Sequence, residues 1–338
     1  MKAAVNTRYG PPEVVRVVEV YRPTPGEREI LVKVHVTTVN RTDCGFRAGK
    51  PFIVRFFSGL AKPKATINGS EFAGVVEEIG RRVTSFAVGD RVFGFREVGL
   101  GAHAEYLTIP EDGPVATIPE DLDFEQAAPS TEGSHYALSD IRAAKIRSGH
   151  RVLVNGGTGA IGSAAIQLLK DLGATVTATC DTEHLELVKG LGADRVIDHT
   201  ATDFTRDTES YDVVFDAVGK SSFRRCRRLL EPGGIYLSTD LGPLSLNPLL
   251  ALVTPLFGGR KVMFPIPPKH DQAGVRSLGE LLGSGAFRPV VDRRYPLDEI
   301  VEAYRYVETG RKIGNVVIDI HPATSSRERR TATGTGVR

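Results

Sequence analysis

The chain has 338 residues, 41% hydrophobic and 25% charged, with a net charge of +2 at pH 7, which gives two domains full cores and excludes a largely disordered protein. Four arginines against Glu328 give residues 321–338 a charge of +3 and leave −1 for the rest, so the body lacks the basic stripe of a nucleic-acid surface and the tail is expected to be frayed and disordered. No stretch is apolar enough to span a bilayer, the first residues resemble a strand rather than a signal peptide, and Cys44, Cys180 and Cys226 are too few and too scattered for a disulfide framework or a cysteine-based structural zinc site; a reducing, cytoplasmic setting is expected.

In chain order, roughly the first 120 residues read as short β segments separated by turns, among them 30–39, 73–79 and 90–95. A Gly89-Asp90 turn leading into a strand is a local signal for a compact barrel-like fold. A β-rich domain over 1–123 is expected. From Phe124 helices alternate with strands, the pattern of a doubly wound parallel sheet, expected over 124–265.

The most informative segment is Asn155-Gly156-Gly157-Thr158-Gly159-Ala160-Ile161-Gly162, set between a strand-like 151–154 and a helical 163–170. Lacking a Cβ, Gly157 suits a tight turn, Gly159 lets backbone approach a pyrophosphate, and Gly162 brings helix close to strand. A diphosphate would then face the helix N-terminus and its unpaired N–H groups, with Thr158, Ala160 and Ile161 completing the cradle. Ala165, Leu168, Leu169 and Leu172 recur at helical spacing, Gly173 ends the helix, and 174–180 reads as the next strand, completing a βαβ unit. Asp181 then lies near the ~20-residue spacing at which an acidic group meets an adenosine ribose, with Thr182 beside it. A structural glycine turn or another nucleotide-like ligand would use the same loop.

Further along, strands are predicted at 194–198 and 211–216, the latter ending at Ala217-Val218-Gly219. Gly219, at a strand carboxyl end, either approaches a nicotinamide closely or simply opens the next helix. A helix over 222–230, whose Arg224, Arg225, Arg227 and Arg228 form a solvated face, stops at Pro232, and a strand over 235–239 follows. The leucine-rich 241–259 is a candidate cover. A strand over 261–264, a helix over 275–282, a strand over 289–293, a helix over 298–308 and a last strand over 315–320 complete the pattern, with 266–320 expected to return to the first domain.

This order, a β-rich domain followed by Gly-Thr-Gly-Ala-Ile-Gly in a βαβ series, resembles the medium-chain dehydrogenase/reductase superfamily. The pieces Val39-Asn40-Arg41-Thr42-Asp43, Gly69-Ser70-Glu71-Phe72-Ala73-Gly74, Val88-Gly89-Asp90-Arg91-Val92, Phe215-Asp216-Ala217-Val218-Gly219 and Gly314-Asn315-Val316-Val317-Ile318 are similar to its zinc-independent quinone oxidoreductase (ζ-crystallin-like) branch. The resemblance implies a GroES-like β-rich catalytic domain plus a Rossmann cofactor domain, a nicotinamide cofactor, a homodimer, and a small-molecule substrate that is a quinone or an enone or enal. It also places His199, Gly219 and Asn315 with the glycine loop and Asp181 as cofactor-binding residues.

Where the superfamily's zinc alcohol dehydrogenases bind catalytic zinc through two cysteines and a histidine, the aligned residues are Asn40, Ser70 and Ser130. Amides and hydroxyls do not replace thiolate and imidazole at that ion, so no metal is expected. Without a Lewis acid, hydride goes most readily to an acceptor that delocalises charge, and the protein need only orient it and hydrogen-bond its oxygen. Asn40 and Thr42 are the candidates for that contact, or else Asn40 caps a turn and Thr42 fixes a loop. A tyrosine that many quinone reductases of this branch carry just after that loop is Gly45 here, which leaves Tyr136 and Tyr106 as substitutes; His103 and His135 read as loop or surface residues. Asp181 would accept a bond from a ribose hydroxyl but repel a 2′-phosphate, which His184 and His199 could offset, so NADPH and NADH both stay open. The alternatives are a nucleotide-binding scaffold of the same fold with little turnover, and an alcohol dehydrogenase.

Overall fold

A computed structural model describes residues 1–96, 99–265 and 270–321; the expected frayed tail, apart from His321, lies outside the described residues. By internal packing the chain divides into two units. One comprises 1–111, 293–311 and the described residues from 316, the other 112–292 and 312–315.

The first unit is built on the long strand Glu29–Val39, which pairs antiparallel with Glu71–Ile79, with Tyr106–Pro110 and with residues 316–319. Glu71–Ile79 pairs in turn with Arg91–Phe95. Register shifts at Leu31/Val32 and Val34/Val36 mark bulges, which bend the central strand and increase its twist. Ile30, Val32, Val34, Phe72, Val76 and Phe93 are fully buried. The helix Arg41–Ala48 leaves the end of this strand and ends at Gly49, whose φ of 60° is the left-handed cap that glycine adopts without penalty.

The second unit holds the expected doubly wound sheet. Its six parallel strands, taken in chain order, are Arg151–Asn155, Thr175–Cys180, Arg195–Asp198, Tyr211–Asp216, Leu230–Ser238 and Lys261–Met263, and they lie side by side as third, second, first, fourth, fifth and sixth. The order reverses between the first and fourth strands, the switch point at which such sheets bind ligands beyond their carboxyl ends. Leu153, Val214, Cys226, Leu229 and Tyr236 form part of the core. The helix Ala160–Asp171 adds Ala164, Ala165, Leu168 and Leu169.

The strand expected over 289–293 is found at Val291–Pro296, and the arginine-rich helix departs further. In place of a helix over 222–230 there is one α turn, Phe223–Cys226, and a 3-10 turn, Arg227–Leu229; the fifth strand already begins at Leu230. Leu230 pairs with Tyr211, but the next paired residue is Ile235, so Pro232-Gly233-Gly234 is an excursion within the strand. The four arginines are exposed there, as expected.

Candidate functional site

In the second unit the glycines Gly157, Gly159 and Gly162 of the loop are distinguished by what a side chain would meet. A Cβ on Gly157 would touch Ile166 Cδ1 at 3.0 Å, and one on Gly162 would lie 2.1 Å from the Gly156 carbonyl oxygen. A Cβ on Gly159 meets nothing nearer than 3.7 Å. Gly157 and Gly162 are therefore committed to the protein's own packing, while Gly159 borders open space. Gly159 is the N-cap of the helix Ala160–Asp171 and supplies no side-chain cap, so the first-turn amides of Ala160, Ile161 and Gly162 are left for an outside acceptor.

A buried polar network fixes this turn. Thr179 Oγ1 accepts from the Gly156 amide at 3.0 Å and donates to Asn155 Oδ1 at 2.8 Å. Asn155 Nδ2 donates to Asp216 Oδ1 at 2.9 Å, and Asp216 Oδ2 accepts from Tyr236 Oη at 2.8 Å and from the Ser221 amide at 2.9 Å. The carboxyl ends of the first, second, fourth and fifth strands are thereby tied together. Thr158 takes part from the other side, its carbonyl accepting from the Gly314 amide at 2.6 Å. Asn315, the next residue, donates Nδ2 to the Val290 carbonyl at 3.0 Å, so its side chain holds the returning backbone beside the loop.

Gly219 has φ +64°, and a Cβ there would lie 2.4 Å from Asp240 Cβ. Its close approach is to that side chain. Gly133 performs a similar service at the loop helix: a Cβ there would come within 2.8 Å of the Ala160 carbonyl. That contact seats the helix Glu132–Ala143 against the start of the loop helix, with half-buried Tyr136 one turn on.

At the far edge of the sheet, Asp181 follows the second strand and its carboxylate bonds to His184 Nδ1. Thr182 Oγ1 donates to Asp198 Oδ2 at 2.6 Å, and Thr200 Oγ1 to Asp198 Oδ1 at 2.6 Å. These two hydroxyls hold Asp198 down to about 2. Asp198 pairs in register with Cys180, the residue before Asp181, so two carboxylates mark the edge where one was expected. His199 is exposed beside them, its amide donating to the Cys180 carbonyl.

In the first unit Asn40 caps the helix Arg41–Ala48. Its Oδ1 accepts from the Asp43 amide at 2.8 Å, Asp43 Oδ2 accepts from the Asn40 amide at 3.1 Å, and Asn40 Nδ2 donates to Ser70 Oγ at 3.0 Å. Asn40 is 3% exposed, so its amide is spent on the protein. Thr42, half-buried in the first turn, has no such engagement of its hydroxyl among the described residues. In the second unit Ser130 Oγ donates to the Ala127 carbonyl at 2.6 Å.

Behind Asn40 lies a group that the sequence reading missed. His103 lies in a loop, one of the two places expected, but is fully buried there, with Nε2 2.7 Å from the Thr38 carbonyl and Nδ1 3.3 Å from Tyr304 Oη. Asn68 Nδ2 donates to the same Tyr304 oxygen at 3.4 Å. Burial pushes His103 down to about 4, while burial, reinforced by nearby Glu71, pushes Asp43 up to about 8. The cluster is held uncharged at neutral pH, which suits a scaffold more than a proton shuttle. His135 is also largely buried, stacked on His270 at 3.4 Å between ring centroids.

Family models match both parts of the chain: one described as "Alcohol dehydrogenase GroES-like domain" covers residues 26–120, and one described as "Zinc-binding dehydrogenase" covers 191–318. The chain is 35% identical over 334 residues to a 2-methylene-furan-3-one reductase of Solanum lycopersicum, covering 95% of this chain and 79% of that one. It belongs to the medium-chain dehydrogenase/reductases, in their zinc-independent quinone oxidoreductase branch. An NADPH-dependent alkenal/one oxidoreductase, chloroplastic, of Arabidopsis thaliana is 32% identical, covering 94% of this chain and 79% of that one. Among solved structures, a quinone oxidoreductase from Coxiella burnetii superposes with a TM-score of 0.84 at 27% identity, covering 95% of this chain and 99% of that one. Mycobacterial Rv1454c complexed with NADPH superposes with a TM-score of 0.76 at 27% identity, covering 94% and 100%. The two units are thus the GroES-like and Rossmann domains of this family. Among the described residues no helix is long and apolar enough to cross a membrane.

Proposed function

We propose that the protein is an NAD(P)H-dependent reductase of quinones or α,β-unsaturated ketones and aldehydes. The observation that carries the reading is the cradle at Gly159: a position open to a ligand, flanked by Gly157, closely packed on Ile166, and by Gly162, which the Gly156 carbonyl keeps free of a side chain. The amides of Ala160, Ile161 and Gly162 hold the cofactor's diphosphate, and Asp181, Thr182 and His199 lie at its adenosine end. A reduced nicotinamide supplies the hydride when bound. The Asp181–Asp198 edge favours a ribose 2′-hydroxyl over a 2′-phosphate, because a doubly charged group there would face two carboxylates.

For the acceptor, the Thr42 hydroxyl is the donor to the carbonyl oxygen, and Asn40 is the positioning residue that sets the helix carrying it. Tyr136 is retained as a group on the cofactor's side of the site. Hydrogen bonding to the oxygen lowers the barrier by meeting charge as it develops. Protonation of an enolate by solvent completes the reaction, so no dedicated acid is needed. The relatives named as alkenal/one, methylene-furanone and quinone reductases support this acceptor class.

A homodimer is part of the same reading, with Lys261–Met263 at an open edge of the parallel sheet and Leu249, Leu252, Leu256 and Phe257 exposed just before it. Sedimentation equilibrium tests it.

The chain has no tryptophan, so reduced-nicotinamide emission is read against tyrosine alone. Titration with NADH and NADPH, followed by turnover with a panel of quinones and enones, tests the reading. Binding without turnover across the panel would leave a nucleotide-binding scaffold of the same fold.

A further inference from the structure

The first unit contains a cavity of about 760 Å³ whose walls include Phe46, Val54, Phe57 and Leu100, with Asn68 and Lys64 among its polar groups. That volume is in the range of pockets for drug-sized ligands, which span about 300–1,000 Å³, and far exceeds what a small enal or an unsubstituted quinone fills. Phe57 lines it yet is 74% exposed, and the same short segment exposes Phe52 at 63%, Phe56 at 61% and Leu60 at 60%. Large apolar side chains crowded at the rim of an apolar cavity mark a surface that an apolar ligand covers.

Two observations connect this cavity to the acceptor chemistry. Thr42 and Phe46 are one turn apart on the helix Arg41–Ala48, so they share a face about 6 Å apart along its axis. The cavity therefore begins one helical turn from the hydroxyl assigned to the carbonyl. Asn68, 3% exposed, lines the cavity while its amide is anchored on Tyr304, which is anchored on His103. Those bonds fix that wall, and Lys64, the charged group among the lining residues, is exposed.

We infer that this cavity is a tail pocket, and that the preferred acceptors are quinones or enones bearing a long apolar side chain, with the chain lying along Phe46, Val54 and Phe57. The inference rests on the reading of Thr42 as the carbonyl's partner and adds the substrate class to it. A chain buried here displaces water from the exposed phenylalanines as well as from itself, and each buried methylene contributes about 0.8 kcal/mol, which is about fourfold in kcat/KM.

The test is a homologous series of straight-chain vinyl ketones, from butenone to dodecenone, assayed with the better of the two cofactors. In the wild type kcat/KM should climb about fourfold per methylene until the cavity is full and then level off. Val54→Trp and Ala65→Phe each put a larger side chain into the cavity from a lining position; each should flatten the slope of kcat/KM against chain length and weaken competitive inhibition by a saturated long-chain ketone. Melting temperatures identify a variant that fails to fold, and the other then carries the comparison. Butenone turnover with no dependence on chain length in the wild type would overturn the tail pocket and leave the reductase standing. Cofactor binding with no turnover of any member would overturn both.

Discussion

A methyl group placed on Gly162 would stand 2.1 Å from the carbonyl oxygen of Gly156, whereas one on Gly159 would meet nothing nearer than 3.7 Å. Two glycines of one loop are therefore required for different reasons, and substitution separates them. Gly159→Val leaves the fold intact, because φ −70° and ψ 167° suit a β-branched residue, but its side chain occupies the space assigned to the diphosphate. The dissociation constant for NADH or NADPH should rise by about 100-fold or more, roughly 3 kcal/mol. Gly162→Ala strikes the protein's own backbone and should cost about 1–3 kcal/mol of stability. Fluorescence titration and thermal melts of both variants check this. Unchanged cofactor affinity in Gly159→Val would remove the loop from the cofactor site.

The acidic edge of the sheet gives a second expectation. Asp181 and the strongly acidic Asp198 both disfavour a 2′-phosphate, so wild type should bind NADH more tightly than NADPH. Asp181→Ser should raise the NADPH to NADH affinity ratio by about tenfold, the effect of removing one charge at partly screened contact distance. The same measurement at high salt should show a smaller change. An unaltered ratio would mean that the carboxylate serves only His184.

Asn40 and Thr42 are two residues apart and should behave differently. Asn40→Ala removes a capping oxygen and the donor to Ser70, costing about 1 kcal/mol or more and lowering the melting temperature by about 3 °C or more. Asn40→Ser keeps a capping oxygen and should recover most of that loss. Thr42→Val preserves shape while removing the hydroxyl; kcat/KM should fall between about tenfold and 100-fold with the melting temperature unchanged. Steady-state kinetics beside thermal melts distinguish the two roles, and a Thr42→Val enzyme with full activity would exclude that hydroxyl from the chemistry.

The glycine loop was legible because its physics is local. The turn, the helix start and the strands on either side lie within about thirty residues, and glycine spacing reports backbone constraints directly. Capping was one of the two readings given to Asn40, and Asn40-x-x-Asp43 is the capping-box spacing that favours it. Asp198 was missed because its significance depends on the parallel register that sets it beside Cys180. The Asn68–Tyr304–His103 group lay out of reach for a stronger reason: Tyr304 and His103 are 201 residues apart, and no periodicity links a loop residue of the first domain to one of the last helix. The cavity beside them exists only as a gap between segments, so nothing in the sequence encodes it locally.

The pH dependence of stability offers a check on the buried carboxyl Asp140. It lies 3% exposed on the helix Glu132–Ala143, its Oδ2 has no hydrogen-bond partner, and burial pushes it up to about 7. An acid with a raised native pKa binds its proton more tightly when folded. Its contribution is therefore fully present below about pH 4 and is lost as the pH rises through about 7, reaching roughly 4 kcal/mol at its limit. Asp140→Asn removes the ionisation, so the melting temperature of the variant relative to wild type should rise between about pH 4 and pH 7 and then level off. Asp43, raised to about 8, pulls in the same direction but is present in both proteins and cancels in the difference. His103, lowered to about 4, works in the opposite sense: its contribution is present above about 6.5 and is lost as the pH falls toward 4. A difference between variant and wild type that stayed constant across this range would mean that Asp140 ionises as freely in the folded protein as in the unfolded chain.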